Sequence, residues 1–318
     1  MTSVAAVVPV KDGERYLAEL LAALAREGVD ELLVIDSGSR DGSLRIARST
    51  GAEILEIEPA EFGHGRTRNL GAERTRADVV AFLTQDATPV AGWRAALLEG
   101  FGAGADVGVV FGPHLARPDT SPMIARELAE FFALFAPAGA DPRVYGPGEP
   151  VFLSNVNAAY RRECWAELRF DDVPYSEDQA FGRAVAEHPR WRKAYAARAG
   201  VLHAHDYGPV EFMRRYFDEY RGLRETTGLV EPFGVRTTAR EVRERVVGDR
   251  RWMRERGYPR GAIARWTGRS LVHHAGRKAF AALGSRAHRL PAPVQGMLSL
   301  EQRGDASKSA RRLLRRCP

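Results

Sequence analysis

The sequence predicts an α/β fold with a mostly parallel central sheet, on three observations. Short apolar runs alternate with segments of helical periodicity through residues 4–111, the order expected of strands joined by right-handed helical crossovers. The runs Val4–Val10 and Val79–Leu83 carry no charged residue, as strands covered on both faces do. Each run stops abruptly in polar, turn-forming residues, and an open α/β sheet binds its ligand just outside such carboxyl ends.

Val4–Val10 is the first strand. Lys11-Asp12-Gly13 then turns the chain into a helix with Tyr16, Leu17, Leu20, Leu21 and Leu24 on one face and Asp12 placed to cap it. Residues 31–35 form a second strand that closes on Asp36-Ser37-Gly38-Ser39-Arg40-Asp41-Gly42-Ser43, with a helix from about Leu44. A short strand over 52–57 and a helix over 66–76 lead to Val79–Leu83, which ends in Thr84-Gln85-Asp86. Trp93–Gly102 reads as a helix, Val107–Phe111 as a strand, and 121–135 as a helix whose Phe131, Phe132, Leu134 and Phe135 suit a core. Residues 137–150, with four prolines and three glycines, read as a surface loop over a site. Residues 152–160 are expected to form a strand with embedded polar residues, and Ser176-Glu177-Asp178-Gln179 opens a helix to about Glu187. Residues 193–197 and 200–202 read as edge strands leading into His203-Ala204-His205. Beyond Gly208 the pattern is helical, so 1–210 is expected as the catalytic α/β domain and 211–318 as a basic helical extension.

Composition excludes several classes. No apolar run reaches the ~18 residues that span a bilayer, and the first strand lacks the basic flank and cleavage site of a signal peptide, so a cytoplasmic protein is expected. Cys164 and Cys317 are too few for a disulfide framework or a cysteine metal site. Only Gly13 stands in the first strand-to-helix turn, where a dinucleotide fold would carry G-x-G-x-x-G, which argues against a nicotinamide or flavin enzyme. The net charge of +6 is concentrated in the arginine-dense C-terminal region, which finishes Arg311-Arg312-Leu313-Leu314-Arg315-Arg316. Such a segment suits a nucleic acid or an anionic membrane surface, or is simply a solvated helical face. No helix-turn-helix, zinc-finger or RNP pattern favours nucleic acid.

Four polar constellations fall at the ends of separate elements: Asp36; Arg66-Thr67-Arg68-Asn69 with Asp86; Glu177-Asp178; and His203 with His205. Asp86 either caps a turn or helix or stands at a ligand site. With a histidine it could hold a hard divalent cation whose remaining positions are filled by a diphosphate. His-x-His alone is weak evidence of a metal, and Glu177 and Asp178 have a second reading as first-turn acids that complement a helix dipole.

The chain resembles a family-2 glycosyltransferase of the GT-A fold. V-V-P-V-K-D-G-E-R-Y-L and V-I-D-S-G-S-R-D-G-S resemble the family's first strand and its V-V-D-D-G-S-x-D-G-T. F-G-H-G-R-T-R-N-L-G, L-T-Q-D-A-T-P, F-L-S-N-V-N-A-A-Y-R-R, S-E-D-Q and V-L-H-A-H resemble the bacterial rhamnosyltransferase branch. The likeness covers about residues 4–210. It implies an inverting enzyme that moves a sugar, L-rhamnose from dTDP-L-rhamnose, onto a hydroxyl of a cell-surface glycan or polyprenyl-linked acceptor. It implies Asp178 as the general base and Asp86 with His203, rather than His205, as ligands of Mg2+ or Mn2+. It further implies a nucleotide-sugar site of Pro9, Asp36, Arg68, Asn69, Asp86, Ser154, Asn155 and Glu177.

Two departures from the family pattern matter. Thr84 replaces the first carboxylate of D-x-D, and Ser37 replaces the second Asp of D-D-G-S. In relatives those carboxylates help hold nucleoside and ribose, and a deoxyribose donor has one hydroxyl fewer to satisfy. The alternative within the class is hexosyl or N-acetylhexosaminyl transfer from a UDP-sugar, and from another class a basic nucleic-acid-binding protein. The Arg-rich tail with Leu313-Leu314 motivates peripheral binding at the inner membrane face.

Overall fold

Four parallel strands, β1 (Val4–Val10), β2 (Glu31–Asp36), β3 (Glu53–Glu56) and β4 (Val79–Leu83), lie side by side in the order β3-β2-β1-β4. They are joined by α1 (Glu14–Glu27), α2 (Ser43–Arg48) and α3 (His64–Arg74). The computed structural model describes residues 2–136, 141–149, 152–173, 176–203 and 208–300. Its contacts divide the chain into two units, Met1–Thr120 with Glu127–Ala204, and Ser121–Arg126 with His205–Pro318, the break falling a few residues ahead of the expected 210.

In the first unit the sheet continues past β4 through β9 (Asn157–Arg161), which runs antiparallel to both β4 and β6 (Val107–Phe111). β10 (Arg192–Tyr195) pairs parallel with β6, and the two-residue β8 (Arg143–Val144) closes the edge. Alternate side chains enter two cores. Val4, Ala6, Val8, Val79, Ala81 and Leu83 pack with Leu17, Leu20, Leu21 and Leu24 of α1 and with Trp93 and Leu97 of α4 (Trp93–Gly102). Val7, Leu33, Ile35, Val80 and Phe82 pack on the other face with Ala72 of α3, Trp165 of α6 (Arg162–Leu168), and Phe181 and Val185 of α7 (Glu177–Glu187). Helical cover on both faces explains why these strands read as continuous apolar runs.

A second sheet of three short strands holds β11 (Val201–His203) between β5 (Thr88–Pro89) and β7 (His114–Ala116). Its strands are too short to announce themselves by periodicity. Several expectations are corrected here. β11 is the centre of a sheet, and β10 lies inside the main sheet with β8 outside it, so neither is an edge strand. The strand expected over 152–160 begins only at Asn157; residues 152–156 are irregular. Asp12 does not cap α1: Gly13 holds that position without a side-chain bond, while Asp12 adopts φ +50° and accepts from the Arg40 N–H at 2.7 Å. Phe132 of α5 (Pro122–Ala133) is buried, but Leu134 is exposed.

The second unit is helical, with α8 (Pro209–Thr227), α9 (Val235–Glu255), α10 (Arg260–Gly284) and α11 (Ala292–Leu298). α10 packs against both α8 and α9. Asp249 of α9 is fully buried and receives hydrogen bonds from Arg126 Nε (2.6 Å) and Ser270 Oγ (2.5 Å), with His274 Nε2 at 2.8 Å. Lys278 of α10 bridges Glu231 and Glu241 at 2.5 and 2.6 Å. No helix among the described residues is long and apolar enough to cross a membrane.

Candidate active site

The carboxyl ends of β1, β2 and β4 lie side by side, so Val10, Asp36 and Leu83 end at the same edge of the sheet, the edge outside which open α/β sheets bind ligands. Pro9 sits in β1 opposite Ile35. Asp36 is buried, and its Oδ1 accepts from the N–H groups of Gly38 and Ser39, both at 2.9 Å. Its Oδ2 is also buried and meets no hydrogen-bond donor among the described residues. A buried carboxylate oxygen left unpaired is costly, and this atom has capacity to accept a further hydrogen bond. Ser37 turns inward, its hydroxyl donating to the Val10 carbonyl at 3.1 Å.

Asp86 lies beyond β4, and β11 brings His203 to it. β11 pairs with β5 through Val201↔Pro89 and Leu202↔Thr88, which sets His203 Nε2 at 3.3 Å from Asp86 Oδ2. Burial would raise the Asp86 pKa, but the hydrogen bond and charge of His203 outweigh it and bring the carboxyl down to about 2. Asp86 therefore stays anionic across the neutral range. The pair fits a divalent cation: two ligand atoms about 2.1 Å from an ion and at right angles to one another are about 3 Å apart. One carboxylate and one imidazole leave further positions of an octahedral ion for substrate oxygens. Asp86 caps no helix, since α4 begins at Trp93 behind Gly92. His205 lies outside the described residues.

Glu177 and Asp178, adjacent in α7, do different things. Glu177 is buried and paired with Arg68 Nη1 of α3 at 2.7 Å; the same nitrogen donates to the His64 carbonyl at 3.1 Å. Asn155 joins this network, donating through Nδ2 to Glu177 (3.1 Å) and accepting at Oδ1 from the Tyr160 hydroxyl (2.7 Å). The backbone N–H of Asn155 reaches Asp178 Oδ2 at 3.2 Å, and that of Gln179 donates to Oδ1 at 2.8 Å. Burial, then the negative charge of Glu177, raise the Asp178 pKa above its ordinary value against those two bonds. Asp178 is thus a carboxylate made more basic and held in a fixed orientation, as proton abstraction requires. Ser154 Oγ accepts from the Val156 N–H at 3.4 Å. Asn69 stands apart: it donates to the Phe170 carbonyl (2.8 Å) and accepts from Trp165 Nε1 (3.0 Å) and the Phe170 N–H (3.1 Å), pinning α3 to the segment after α6.

Three contributors were not singled out from sequence. Arg117, just after β7, is buried; it donates to Glu19 (2.8 Å), Thr88 Oγ1 (2.8 Å) and the Asp86 carbonyl (3.2 Å), and lies over the Tyr16 ring. Gln85 exchanges two hydrogen bonds with the Lys11 backbone, at 2.8 and 3.1 Å, tying the end of β4 to the end of β1. Lys11 Nζ donates to the carbonyls of Ser37 (2.9 Å) and Gly38, closing the Asp36 turn. None of these bonds leaves a trace in spacing, because the partners are distant in sequence.

Known proteins are similar to this chain in sequence or in fold. The pattern of "Glycosyl transferase family 2" matches residues 5–168. The chain is 32% identical over 219 residues to the O-antigen chain rhamnosyltransferase RfbN of Salmonella typhimurium, covering 67% of this chain and 69% of that one. It is 34% identical over 194 residues to the O-antigen chain rhamnosyltransferase WbaN of Salmonella anatum, covering 59% and 61%. Among solved structures, the mannosyltransferase PcManGT of Pyrobaculum calidifontis, in complex with GDP-Man and Mn2+, superposes with a TM-score of 0.55 at 16% identity over 91% of this chain and 88% of that one. With half the chain matched by the family pattern and a relative 32% identical over two thirds of its length, this protein belongs to glycosyl transferase family 2.

Proposed function

We propose that the protein transfers L-rhamnose from dTDP-L-rhamnose, with inversion at the anomeric carbon, to a hydroxyl of a cell-surface glycan or lipid-linked acceptor. The similarity to two O-antigen rhamnosyltransferases supports the sugar. The observation that carries the donor reading is the β2 turn. The unpaired Oδ2 of Asp36 matches the imide N–H of a thymine or uracil. Ser37, where relatives carry a ribose-binding carboxylate, spends its hydroxyl on Val10, which suits a sugar with one hydroxyl fewer.

Asp86 and His203 would hold Mg2+ or Mn2+, which supplies charge neutralisation for the departing diphosphate. Asp178 accepts the proton of the acceptor hydroxyl. The acceptor oxygen then bonds to the anomeric carbon as the bond from that carbon to the phosphate oxygen breaks, with the electron pair leaving on the diphosphate. Displacement from the opposite face inverts the configuration. Asn155 and Gln179 orient the base through their N–H groups, and Glu177 raises its basicity.

The test is a panel of dTDP-, UDP- and GDP-sugars assayed for transfer and hydrolysis, with Asp178→Asn as control. Turnover of dTDP-L-rhamnose that drops about 10²–10⁴-fold in the variant is expected. Preferential turnover of a UDP-hexose or UDP-N-acetylhexosamine would overturn the rhamnose reading while leaving the family intact.

A further inference from the structure

One face of α9 is an arginine stripe. Arg236, Arg240, Arg243, Arg250, Arg251 and Arg254 are all exposed. At 3.6 residues per turn they share a sector of about 100°, along roughly 27 Å of helix. Among the described residues only Arg240 has an acidic partner, Glu244 at 4.0 Å; Arg236, Arg243, Arg250, Arg251 and Arg254 have none. Two acidic residues of this helix are engaged away from the stripe: Asp249 is consumed in the buried cluster with Arg126, and Glu241 pairs with Lys278. Like charges three or four residues apart repel one another and weaken a helix, so an outside anion seated along the stripe would relieve that repulsion.

Apolar side chains accompany the stripe. Val247 lies within it and is 51% exposed. Just ahead, where the chain enters α9, Leu229, Val230, Phe233 (52%) and Val235 (81%) are exposed within seven residues. A phosphate backbone would match the arginines but would leave these four apolar groups in water. A lipid interface satisfies both, with cationic side chains at the headgroups and an apolar wedge at the acyl boundary.

We propose that α9 and the segment 229–235 form a docking surface for an anionic phospholipid membrane. The proposal is independent of which sugar is transferred, and it places the contact on α9 rather than on the C-terminal Arg-Leu-Leu-Arg segment. The arginines attract the headgroups over a Debye length, and Phe233 and Val235 give the contact its salt-resistant part.

The test is co-sedimentation of the full chain with phosphatidylcholine vesicles with and without phosphatidylglycerol, over a salt series. The variant R240Q/R243Q/R250Q/R251Q is compared with R311Q/R312Q/R315Q/R316Q, and circular dichroism confirms that each is folded. Binding only to the anionic vesicles is expected, weakening with salt. At about fivefold per arginine, the α9 variant should lose at least two orders of magnitude in partitioning. Phe233→Ser should remove the binding that persists at high salt. Unchanged binding by the α9 variant, loss of binding in the tail variant alone, or tighter binding to a duplex DNA than to anionic vesicles would each overturn the proposal.

Discussion

Glu177 and Asp178 are neighbours in sequence yet separate in role, because one side chain points into the Arg68–Asn155 network and the other is held by two backbone N–H groups. Their coupling has a measurable consequence. A general base works when deprotonated, and the Asp178 pKa is raised, so kcat/KM should fall with decreasing pH on a limb displaced above the ordinary aspartate value of about 3.9. Glu177→Gln should move that limb to lower pH, since it removes a negative charge and leaves Arg68 unbalanced. It should also cost about 3–5 kcal/mol in urea denaturation, the usual result of breaking a buried ion pair from one side. Arg117 acts at the same scale on Asp86 through its carbonyl and Thr88. Arg117→Met should weaken Mn2+ binding about 10–100-fold, read by titration without sugar donor, if the metal sits at Asp86 and His203.

The elements that carry these residues are positioned by close backbone approach. An added Cβ at Gly65 in the first turn of α3 would lie 2.0 Å from the Asp171 carbonyl oxygen, and one at Gly13 would lie 2.7 Å from the Gln85 side chain. Gly13 meets a flexible amide that can move; Gly65 meets backbone that cannot. Gly65→Ala should therefore push α3 from the 171–172 segment and cost on the order of 1–3 kcal/mol in thermal or urea unfolding. Activity should fall with it, because Arg68 is three residues further along the same helix. Gly13→Ala should cost less and act chiefly through the Gln85–Lys11 tie.

Across the whole molecule the two units differ in what they bury. The first has two apolar cores on either side of a sheet; the second buries a charged cluster around Asp249 besides apolar residues such as Phe217 and Met253. Burial alone would raise the Asp249 pKa, but the bonds from His274, Ser270 and Arg126 more than offset it, so the folded value is lowered. The stabilisation from this carboxylate is full above its unfolded pKa of about 3.9 and is lost as pH falls through the lower folded value. Asp249→Asn should destabilise the helical unit by about 3–5 kcal/mol at neutral pH, and amide exchange in α9 and α10 should rise before exchange in β1 and β4. The same substitution should flatten the acid limb of that unit's unfolding curve.

Much of the first unit was legible in the chain. Apolar runs determine β1 and β4, and an apolar face determines α1, because strands covered on both faces must be apolar throughout and a helix laid on a sheet buries one stripe. Strand-end positions likewise single out Asp36 and Asp86 as candidates, while Asp178 stands in the first turn of α7 and is singled out by the family resemblance. The three-stranded sheet was not legible, since strands of two and three residues are fixed by their partners rather than by periodicity. Residues 152–156 leave the strand pattern because the chain turns there to set Asn155 against Glu177 and Asp178. Arg68 and Asn69 were expected beside a nucleotide, and only tertiary packing reveals that their polar groups brace α7 and the segment after α6. The sequence by itself determined the layers, the strand ends and the residue types available for chemistry, because these follow from local periodicity and turn formation. The tertiary structure alone decided which distant groups meet, Asp86 with His203 and Asp178 with Asn155, because hydrogen bonds and burial are properties of the folded neighbourhood.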